Sequence, residues 1–453
     1  MDIKERIHKY SLNGKNIVLD INSGAVHVVE DIVYDILDYY KTYTLDEIIK
    51  LLEDKYDDKD IMEAYEEISL LENEGILYSE GVSIQDIRYN EDNVIKALCL
   101  HVAHDCNLRC NYCFASQGDF KGDRSLMSLE VGKKALEFLV KHSGGRRNLE
   151  VDFFGGEPLM NFEIIKKLVM YGKDLEKNYN KHFRFTITTN GVLLDEDNMK
   201  FINEYMDNVV LSLDGRKRIN DNMRRTITDE GSYDIILPKF QKMVAKRGDK
   251  DYYVRGTFTS YNLDFSNDVL HFYDKGFKKI SIEPVVTSPD KDYGIKEEHI
   301  DTILKEYEKF SKDYINIKKK DDDFLFFHFM IDLDQGPCIV KRIVGCGAGS
   351  EYMAVTPEGE LYPCHQFVGD KKFKIGNVYE GITNNEIVKE FKNASVYNKE
   401  KCRSCWARFY CSGGCHANAY NHHGNIMKPY DIGCEMEKKR IECAISILAN
   451  LYE

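Results

Sequence analysis

The middle of the chain, from about residue 95 to 320, alternates short apolar segments with longer ones whose apolar residues recur every three or four positions. The short segments predict strands, and the longer ones predict helices, for example at 128–141, 162–175 and 264–275. Alternation of this kind predicts an α/β fold with a parallel sheet, and six such units fit a partial (β/α)6 barrel of the TIM type over residues 95–325. The predicted strands are Ala97–Ala103, Leu149–Phe154, Phe183–Thr188, Asn208–Leu213, Tyr252–Phe258 and Lys279–Glu283.

The first 85 residues follow a different order, with short strands first and helices afterwards. Asn13-Gly14 predicts a tight hairpin turn, and Thr44 with Glu47 predicts a capping box at the start of a helix. A hairpin, three helices and a returning strand together predict a winged helix-turn-helix domain over residues 1–85. The predicted elements are strands 7–12, 16–21, 25–29 and 76–78 and helices 32–37, 45–53 and 59–74.

Residues 335–453 lack a regular period and consist of short segments rich in cysteine and glycine. This composition predicts a domain that is held together by bound metal. The hydrophilic run 318–323 predicts a solvated connection before it. The apolar side of segment 435–452 predicts a final amphipathic helix.

The charge balance argues against one common use of a winged helix. The chain of 453 residues has a formal net charge of -14, which disfavours nucleic acid as a partner. The third predicted helix would also repel phosphates. An extended peptide that adds a strand to a sheet edge needs only unpaired backbone groups, so we expect a peptide ligand instead. The acidic residues of that helix are Asp60, Glu63, Glu66, Glu67, Glu72 and Glu74.

No segment indicates export or a membrane. The N-terminal segment lacks the apolar core of a signal peptide, and no later apolar run approaches the length that spans a bilayer. We therefore expect a cytoplasmic protein with neither a membrane nor nucleic acid as a partner. In a reducing cytosol, 13 cysteines indicate metal ligands or catalytic groups rather than disulfides.

Three cysteines lie together just after the first predicted strand of the central domain. Their spacing is C-x3-C-x2-C, at Cys106, Cys110 and Cys113. Three thiolates on one short loop can hold a cubane iron–sulfur cluster and leave one iron without a protein ligand. Structural zinc is the alternative, but it needs four ligands, and the nearest fourth candidate, His104, is poorly spaced.

Further motifs follow the next three predicted strands. The sequence has GGEP at 155–158, TTNG at 188–191 and SLDG at 212–215. Each motif alone is a weak signal. Together with the cysteines, in this order and at successive strand ends, they resemble the radical S-adenosylmethionine (SAM) superfamily.

The resemblance implies an enzyme in which the amino and carboxylate groups of SAM bind the open iron of the cluster. In that superfamily an electron from the cluster cleaves SAM to methionine and a 5′-deoxyadenosyl radical, which takes hydrogen from the substrate. Glu157 would accept from the SAM amino group, and Arg224 would pair with its carboxylate, although the family's preceding His-Asp is Asn220-Asp221 here. The SAM-binding positions implied are Tyr112, Gly155, Gly156, Glu157, Asn190, Ser212 and Arg224.

A second cysteine array, C-x12-G-x4-C, C-x2-C-x5-C-x3-C and a last cysteine, resembles the SPASM domain of radical SAM enzymes that modify peptides. A zinc ribbon would use two C-x2-C pairs, and this array has one. The resemblance implies two auxiliary [4Fe-4S] clusters, and therefore three clusters in all. One auxiliary cluster would use Cys402, Cys405, Cys411 and Cys434, and the other would use Cys346, Cys364 and Cys415.

Seven thiolates leave one position of the two auxiliary clusters open. Cys338 is a possible eighth ligand. The alternative, which we favour, is an open iron that takes a substrate thiolate, because that chemistry would suit an enzyme that modifies cysteine. We expect the remaining cysteines Cys99 and Cys443, in a strand and a helix, to be core residues.

The three predicted domains together resemble maturases of ribosomally made peptides, whose first domain binds the leader of the precursor by strand addition. Within that group the chain is similar to the maturases of the cysteine-rich SCIFF peptides, on segments 336–338 and 345–347. This implies a thioether between a cysteine sulfur and the α-carbon of another residue. Asp152, Asp214 and Glu283 are equivalent candidates for the general base.

Other classes of protein stay open at this point. Anaerobic sulfatase maturases share the barrel and the SPASM array, oxidise a cysteine or serine side chain, and would not need the N-terminal domain. Other peptide maturases form carbon–carbon cross-links. An electron carrier would not need the SAM motifs, and a DNA-binding sensor would use the winged helix. A reductant such as flavodoxin or ferredoxin is expected for the enzyme.

Overall fold

A computed structural model describes residues 3–81, 94–333 and 343–452 of the chain. Its N-terminal part is an antiparallel sheet of three strands followed by three helices. The predicted hairpin turn at Asn13-Gly14 is confirmed, and so is the capping box of Thr44 and Glu47. The elements are β1 (Ile7–Leu12), β2 (Lys15–Asp20), β3 (Val26–Val29), α1 (Asp31–Ile36), α2 (Leu45–Leu52) and α3 (Asp58–Asn73).

The predicted returning strand at Ile76–Tyr78 is wrong, because this described segment bends and pairs with no strand. Side chains of the sheet hold it instead. The ring of His27 hydrogen bonds to the carbonyl oxygen of Ile76 at 2.9 Å. The backbone N–H of Ser79 donates to a carboxylate oxygen of Asp20, also at 2.9 Å. The chain therefore returns to the sheet without forming a wing strand.

The central part alternates strands and helices as predicted. Its strands are β4 (Ala97–His104), β5 (Ser125–Leu126), β6 (Asn148–Gly155), β7 (His182–Thr189), β8 (Asn208–Ser212), β9 (Asp251–Phe258), β10 (Lys279–Pro284) and β11 (Leu325–Phe326). Its helices are α4 (Leu129–His142), α5 (Phe162–Asn178), α6 (Glu196–Tyr205), α7 (Lys217–Met223), α8 (Tyr233–Arg247), α9 (Ser266–Asp274) and α10 (Ile300–Lys318).

The C-terminal part consists of short elements and one long final helix. Its strands are β12 (Tyr352–Val355), β13 (Glu360–Tyr362), β14 (Gly376–Asn377) and β15 (Gly381–Ile382). Its helices are α11 (Asn385–Asn393), α12 (Glu400–Arg403), α13 (Arg408–Cys411), α14 (His416–His423) and α15 (Asp431–Leu451). Single 3-10 turns lie at Ile3–Arg6, Ser116–Gly118, Pro158–Asn161, Glu297–His299, Phe327–Phe329, His365–Phe367 and Lys371–Phe373.

All six predicted central strands are present and parallel. The sheet has the order β11-β10-β9-β8-β7-β6-β4-β12 and continues through the antiparallel strands β13, β14 and β15, while β5 pairs with β4. Two parallel strands were not predicted, β11 and β12, because two and four residues are too few to show a period. Through β12 the C-terminal part is built into the same sheet as the central part.

The two faces of this sheet differ in burial. Side chains such as Phe153, Ile187 and Leu211 are fully buried against the helices. Their neighbours in the chain point to the opposite face, because side chains alternate along a strand. We call that side the inner face; it is partly exposed at most of its positions. It is defined here by Cys99, His101, Asp152, Phe154, Thr188, Ser212, Arg255 and Glu283.

The N-terminal sheet is covered on both faces. Val18 packs into the core of α1, α2 and α3, whereas Ile17 and Leu19, on the other face, pack against Ile441 and Ile445 of α15. At the rim of this contact the ring of His8 stacks on Trp406, with centroids 3.8 Å apart. His8 also lies 3.0 Å from a carboxylate oxygen of Glu442.

Cys99 and Cys443 are fully buried in apolar surroundings, as predicted for core cysteines. The final amphipathic helix is confirmed as α15, which packs along α10 with Cys443 in the interface. Over the described ranges, no helix combines the length and apolarity needed to cross a membrane.

Candidate active site

The loop with Cys106, Cys110 and Cys113 follows β4 directly, at the carboxyl end of the parallel strands. Backbone hydrogen bonds fasten it to the segment after α7. The N–H of Asn111 donates to the carbonyl oxygen of Met223 at 2.8 Å, and the N–H of Arg109 donates to that of Arg225 at 2.7 Å. The three thiols are thus held on one short, anchored loop.

The GGEP segment lies against the backbone of this loop. The N–H groups of Gly156 and Glu157 donate to the carbonyl oxygens of Ala103 and Asp105, at 2.8 and 2.9 Å. A Cβ at Gly155 would lie 2.2 Å from the carbonyl oxygen of Ala103, and a Cβ at Gly156 would lie 2.2 Å from that of Asp105. The resemblance implies that Gly155 and Gly156 bind SAM; the structure shows that they allow the close approach of the cysteine loop.

Glu157 is fully buried, and three groups of the chain donate to its carboxylate. These are the hydroxyl of Thr189 at 2.7 Å and the N–H groups of Asn190 at 2.8 Å and Leu159 at 3.0 Å. Burial outweighs these hydrogen bonds and raises the pKa of Glu157 to about 7. Glu157 therefore joins the ends of β6 and β7, and its predicted contact with SAM stays a prediction.

Asn190 connects the β7 end to the cysteine loop. Its side-chain amide donates to Asn107 at 2.7 Å and lies 3.6 Å from the sulfur of Cys106. Ser212, another predicted SAM-binding position, lies on the inner face at the end of β8, partly exposed and beside Arg255 of β9. The structure thus brings both predicted positions to the strand ends that surround the first cysteines.

Tyr112 of the cysteine loop contacts buried Asp214, which also pairs with the partly buried Arg224. The phenol of Tyr112 donates to the carboxylate of Asp214, and Arg224 pairs with the same carboxylate at 3.1 Å. The guanidinium of Arg224 also lies 5.7 Å from the centre of the Tyr112 ring. The predicted partner of the SAM carboxylate is therefore already oriented by Asp214.

The thiols of this loop fit a bound cluster and not a free nucleophile. Burial raises the pKa of Cys106 and of Cys110 to about 12, so both stay protonated at neutral pH without metal. Bound iron reverses this preference, because a metal ion stabilises the thiolate. Three thiols on one loop fit the predicted iron–sulfur cluster with one open iron, an assignment that stays a prediction.

The second cysteine array divides into two groups of neighbours. Cys402, Cys405, Cys411 and Cys434 line one cavity of about 590 Å³ next to β1. Burial raises the pKa of Cys364, and Cys415 and Cys346 add to the effect because they lie nearby. The grouping agrees with the two predicted ligand sets, whose roles stay predictions. Cys338, together with segment 336–338, lies outside the described residues.

Both cysteine regions border one group of aromatic rings. Phe114 follows Cys113, and His365 follows Cys364. The ring of His365 lies 5.4 Å from that of Phe114 and 5.2 Å from that of Phe154, measured between centroids. His365 was not predicted from the sequence; its position directly after a predicted ligand was the available signal.

The structure separates the three candidates for the general base. Asp214 is bound by Tyr112 and Arg224 as described. Glu283 lies 3.3 Å from His328; although burial acts to raise its pKa, nearby positive charge holds that pKa well below its usual range. Asp152 instead accepts one 3.3 Å hydrogen bond from Thr188.

Burial raises the pKa of Asp152 to about 7. A carboxylate with this pKa can take up a proton at neutral pH. Arg255 also lies on the inner face. It is exposed and, among the described residues, forms no side-chain hydrogen bond or ion pair.

Two family matches cover the segments just described. Residues 100–237 match the Radical SAM superfamily, and residues 346–406 match SPASM, an iron-sulfur cluster-binding domain. The first match spans the cysteine loop and the three motifs after it. The second spans Cys346, Cys364, Cys402 and Cys405.

Curated relatives cover different shares of the chain. A cysteine-type anaerobic sulfatase-maturating enzyme of Clostridium novyi is 27% identical, over 76% of this chain and 93% of its own length. The radical SAM cyclopropyl synthase TigE of Paramaledivibacter caminithermalis is 23% identical, over 95% of this chain and 92% of its own length. An uncharacterized protein of Methanocaldococcus jannaschii is 30% identical, over 48% of this chain and 70% of its own length.

Two solved structures share the fold. Native anSMEcpe with bound AdoMet and Kp18Cys peptide has a TM-score of 0.63 and 21% identity, over 79% of this chain and 98% of that chain. Streptococcus suis SuiB bound to S-adenosylmethionine has a TM-score of 0.54 and 14% identity, over 95% of this chain and 99% of that chain. The fold is therefore the mixed α/β radical SAM fold with a SPASM-type C-terminal region.

Proposed function

Because this chain belongs to the radical SAM superfamily and has a SPASM region, we propose that it is a maturase of a ribosomally made, cysteine-rich precursor peptide. The proposed product is an intramolecular thioether, a sactionine link from a cysteine sulfur to the α-carbon of another residue. The observation that carries the proposal is the meeting of both cysteine regions at Phe114, Phe154 and His365. A peptide residue on the inner face would lie beside both.

We assign the SAM-binding [4Fe-4S] cluster to the loop of Cys106, Cys110 and Cys113, and two auxiliary clusters to the two groups of SPASM cysteines. When bound, SAM and its cluster would supply a radical that removes one hydrogen atom, and an auxiliary cluster would supply an acceptor for one electron. The chain's own groups then have to orient the peptide and accept a proton. The proposed SAM contacts are Tyr112, Gly155, Gly156, Glu157, Asn190, Ser212 and Arg224.

Asp152 is the proposed proton acceptor. Forming a carbon–sulfur bond from a C–H and an S–H group removes two hydrogens: one as an atom, the other as a proton with its electron left behind. A carboxylate oxygen of Asp152 can receive that proton near neutral pH, because burial places its pKa at about 7. Thr188 donates to this carboxylate and orients it toward the inner face.

Arg255 is the proposed anchor for the peptide on this face. The residue is exposed and forms no side-chain hydrogen bond or ion pair among residues 3–81, 94–333 and 343–452, although its charge acts on Asp152 and Glu283. A guanidinium can hold a peptide carbonyl or carboxylate with two parallel hydrogen bonds. It lies in register between Ser212 on β8 and Ser281 on β10, near the ends of the strands that carry the SAM motifs.

The leader of the precursor is proposed to bind at the outer edge of β3, with the N-terminal part acting as a precursor-peptide recognition element of the winged-helix type. β3 is an edge strand, since the sheet has the order β1-β2-β3. The backbone N–H of Asp20 donates to the carbonyl oxygen of Ala25 across the turn. In an antiparallel pair, residue pairs with and without hydrogen bonds alternate, so the backbone N–H and C=O groups of Val26 and Val28 point away from β2. These groups can pair with an added strand.

The share of the chain that relatives cover favours peptide maturation over sulfatase maturation. About a quarter of this chain lies outside the match to the Clostridium novyi enzyme, which itself is matched over 93% of its length. TigE and SuiB instead span 95% of the chain. Oxidation of a cysteine or serine side chain, and carbon–carbon cross-linking, remain the alternative reactions for the same site.

The test is anaerobic reconstitution with iron and sulfide, followed by incubation with SAM, dithionite and a cysteine-rich peptide translated from a short reading frame sought beside this gene. We expect 5′-deoxyadenosine and a peptide lighter by two hydrogens, with fragment ions that locate a link from cysteine to an α-carbon. An aldehyde on a cysteine-containing sulfatase peptide, with the precursor unchanged, would show the sulfatase reaction instead. Flavodoxin or ferredoxin in place of dithionite tests the expected reductant.

The matched control replaces the three loop cysteines Cys106, Cys110 and Cys113 by alanine. This variant should form neither 5′-deoxyadenosine nor product, while the iron of the auxiliary sites is retained. Product formed by this variant would overturn the assignment of the first cluster. Loss of all iron would instead argue against independent auxiliary sites.

A further inference from the structure

One lysine is buried beside the auxiliary cysteines. Lys399 is 1% exposed, and its ammonium donates a 2.7 Å hydrogen bond to the carbonyl oxygen of Gly413. Gly413 lies in the chain between Cys411 and Cys415. Lys399 directly precedes α12, and its own carbonyl accepts the N–H of Cys402 at 3.0 Å. The side chain is therefore fixed next to segments that carry cysteines of both auxiliary groups.

The cavity of the larger group lies on the other side of Gly413. Gly413 lines this space together with Cys402, Cys405, Cys411 and Cys434. A Cβ added to Gly413 would lie 3.5 Å from the lysine nitrogen, so the ammonium is in contact with the wall of the cavity. Whatever fills the cavity is separated from this positive charge by one peptide unit.

Lys399 has no acidic partner within the described ranges. One of its three N–H groups has an acceptor, and neither an aspartate nor a glutamate forms an ion pair with it. Removing an ammonium from water costs several kcal/mol, and lysine is almost never fully buried without a counter-charge.

We propose that Lys399 is the counter-cation of the auxiliary clusters and raises their reduction potentials. A cluster becomes more negative when it is reduced, so a fixed positive charge stabilises the reduced state. The auxiliary clusters thereby become better acceptors of the one electron that bond formation leaves behind. This inference rests on the cluster assignment made under the proposed function.

The experiment compares Lys399→Gln with the wild type by redox titration followed by electron paramagnetic resonance, in the reconstituted protein without peptide. Glutamine keeps a donor for the carbonyl of Gly413 and removes the charge. We expect the midpoint potentials of the auxiliary clusters to become more negative and that of the SAM-binding cluster to stay unchanged. Lys399→Arg should restore the wild-type values.

Lys401→Gln is the matched control. Lys401 lines the same cavity, but it is exposed at the surface and paired with Asp431 at 2.6 Å, so its charge is screened. This variant should keep the wild-type potentials. Unchanged potentials in Lys399→Gln with full iron content would overturn the proposal, and so would an equal shift in Lys401→Gln.

Failure to assemble clusters is also informative. Auxiliary iron lost in Lys399→Gln but retained in Lys399→Arg supports a required positive charge. Loss in both variants means that the side chain has a packing role and contradicts the proposal. Absence of auxiliary clusters in the wild type would contradict the proposed function itself, which separates the two failures.

Discussion

The hydroxyl of Tyr112 donates to both carboxylate oxygens of Asp214, at 2.9 and 2.6 Å. The two residues are 102 positions apart, one in the cysteine loop and the other at the end of β8. Arg224 pairs with the same carboxylate, so one buried acid orients both the loop and a proposed SAM contact. The geometry of the first cluster site therefore depends on Asp214, which supplies no ligand to the cluster.

Tyr112→Phe and Asp214→Asn should destabilise the protein to different extents. Tyr112→Phe removes a hydrogen bond to a charged group, worth about 2 kcal/mol of unfolding free energy. Asp214→Asn leaves the buried guanidinium of Arg224 without its counter-charge and should cost about 3–5 kcal/mol. Thermal unfolding of the cluster-free proteins measures both. Equal effects would mean that Asp214 does not hold Arg224.

Gly156→Ala should displace the cysteine loop. The added methyl group would lie 2.2 Å from the carbonyl oxygen of Asp105, which is backbone and cannot rotate away. We expect a loss of about 2–3 kcal/mol in stability and selective loss of iron from the first site. Gly145→Ala is the control, because a Cβ there meets nothing within 4 Å. Iron analysis and thermal unfolding compare the two variants.

The rate of peptide modification should rise with pH through about 7. Asp152 must be ionised to accept a proton, and burial raises its pKa to about 7, so the acidic form is inactive below that value. Asp152→Asn should lower the rate about 100-fold or more and remove this pH dependence. Formation of 5′-deoxyadenosine without peptide should stay unchanged. A wild-type pH profile in Asp152→Asn would exclude it as the acceptor.

Asp152→Asn should also change stability with pH in the cluster-free protein. The folded pKa of Asp152 is raised above its unfolded value, so the folded state binds the proton more tightly, and wild-type stability falls as pH rises from about 4 to 7. The asparagine variant lacks this loss. We therefore expect its melting temperature to exceed that of the wild type at pH 8 and to approach it at pH 4.

Val28→Pro should weaken binding of the leader peptide without affecting the fold. The N–H of Val28 points away from β2, so proline removes a donor needed by an added strand and leaves the β2–β3 hydrogen bonds intact. Val28→Thr keeps the donor and is the control. Fluorescence anisotropy with a labelled precursor measures the binding. Equal affinity in both variants would mean that the leader does not pair with β3.

The elements that could be predicted are those with a long apolar period. β6, β7, β8 and β9 bury every second residue, β4 is an almost continuous buried run, and the final helix buries one side, so these patterns are visible in the chain. The segment at 76–78 was mistaken for a strand because Leu77 and Tyr78 are buried by packing into the core of α1, α2 and α3 and not in a ladder. Local composition does not distinguish these two causes of burial.

The site was predictable where function depends on adjacent residues. The cysteine spacings and the GGEP segment are local, so the sequence contains them. The contacts of Tyr112 with Asp214 and of Phe114 with His365 join distant segments and follow only from the register of the sheet. The burial of Lys399 was also missed, because a single lysine in a polar segment is usually exposed.

The packing of the N-terminal sheet on α15 has a consequence for the order in which the protein folds. Ile17 and Leu19 are made before their partners Ile441 and Ile445, which follow more than 400 residues later in the chain. Until the ribosome releases the C-terminal helix, one face of the first sheet is exposed to water and available to other nascent chains. Shortened products that lack α15 should therefore aggregate or be retained by chaperones.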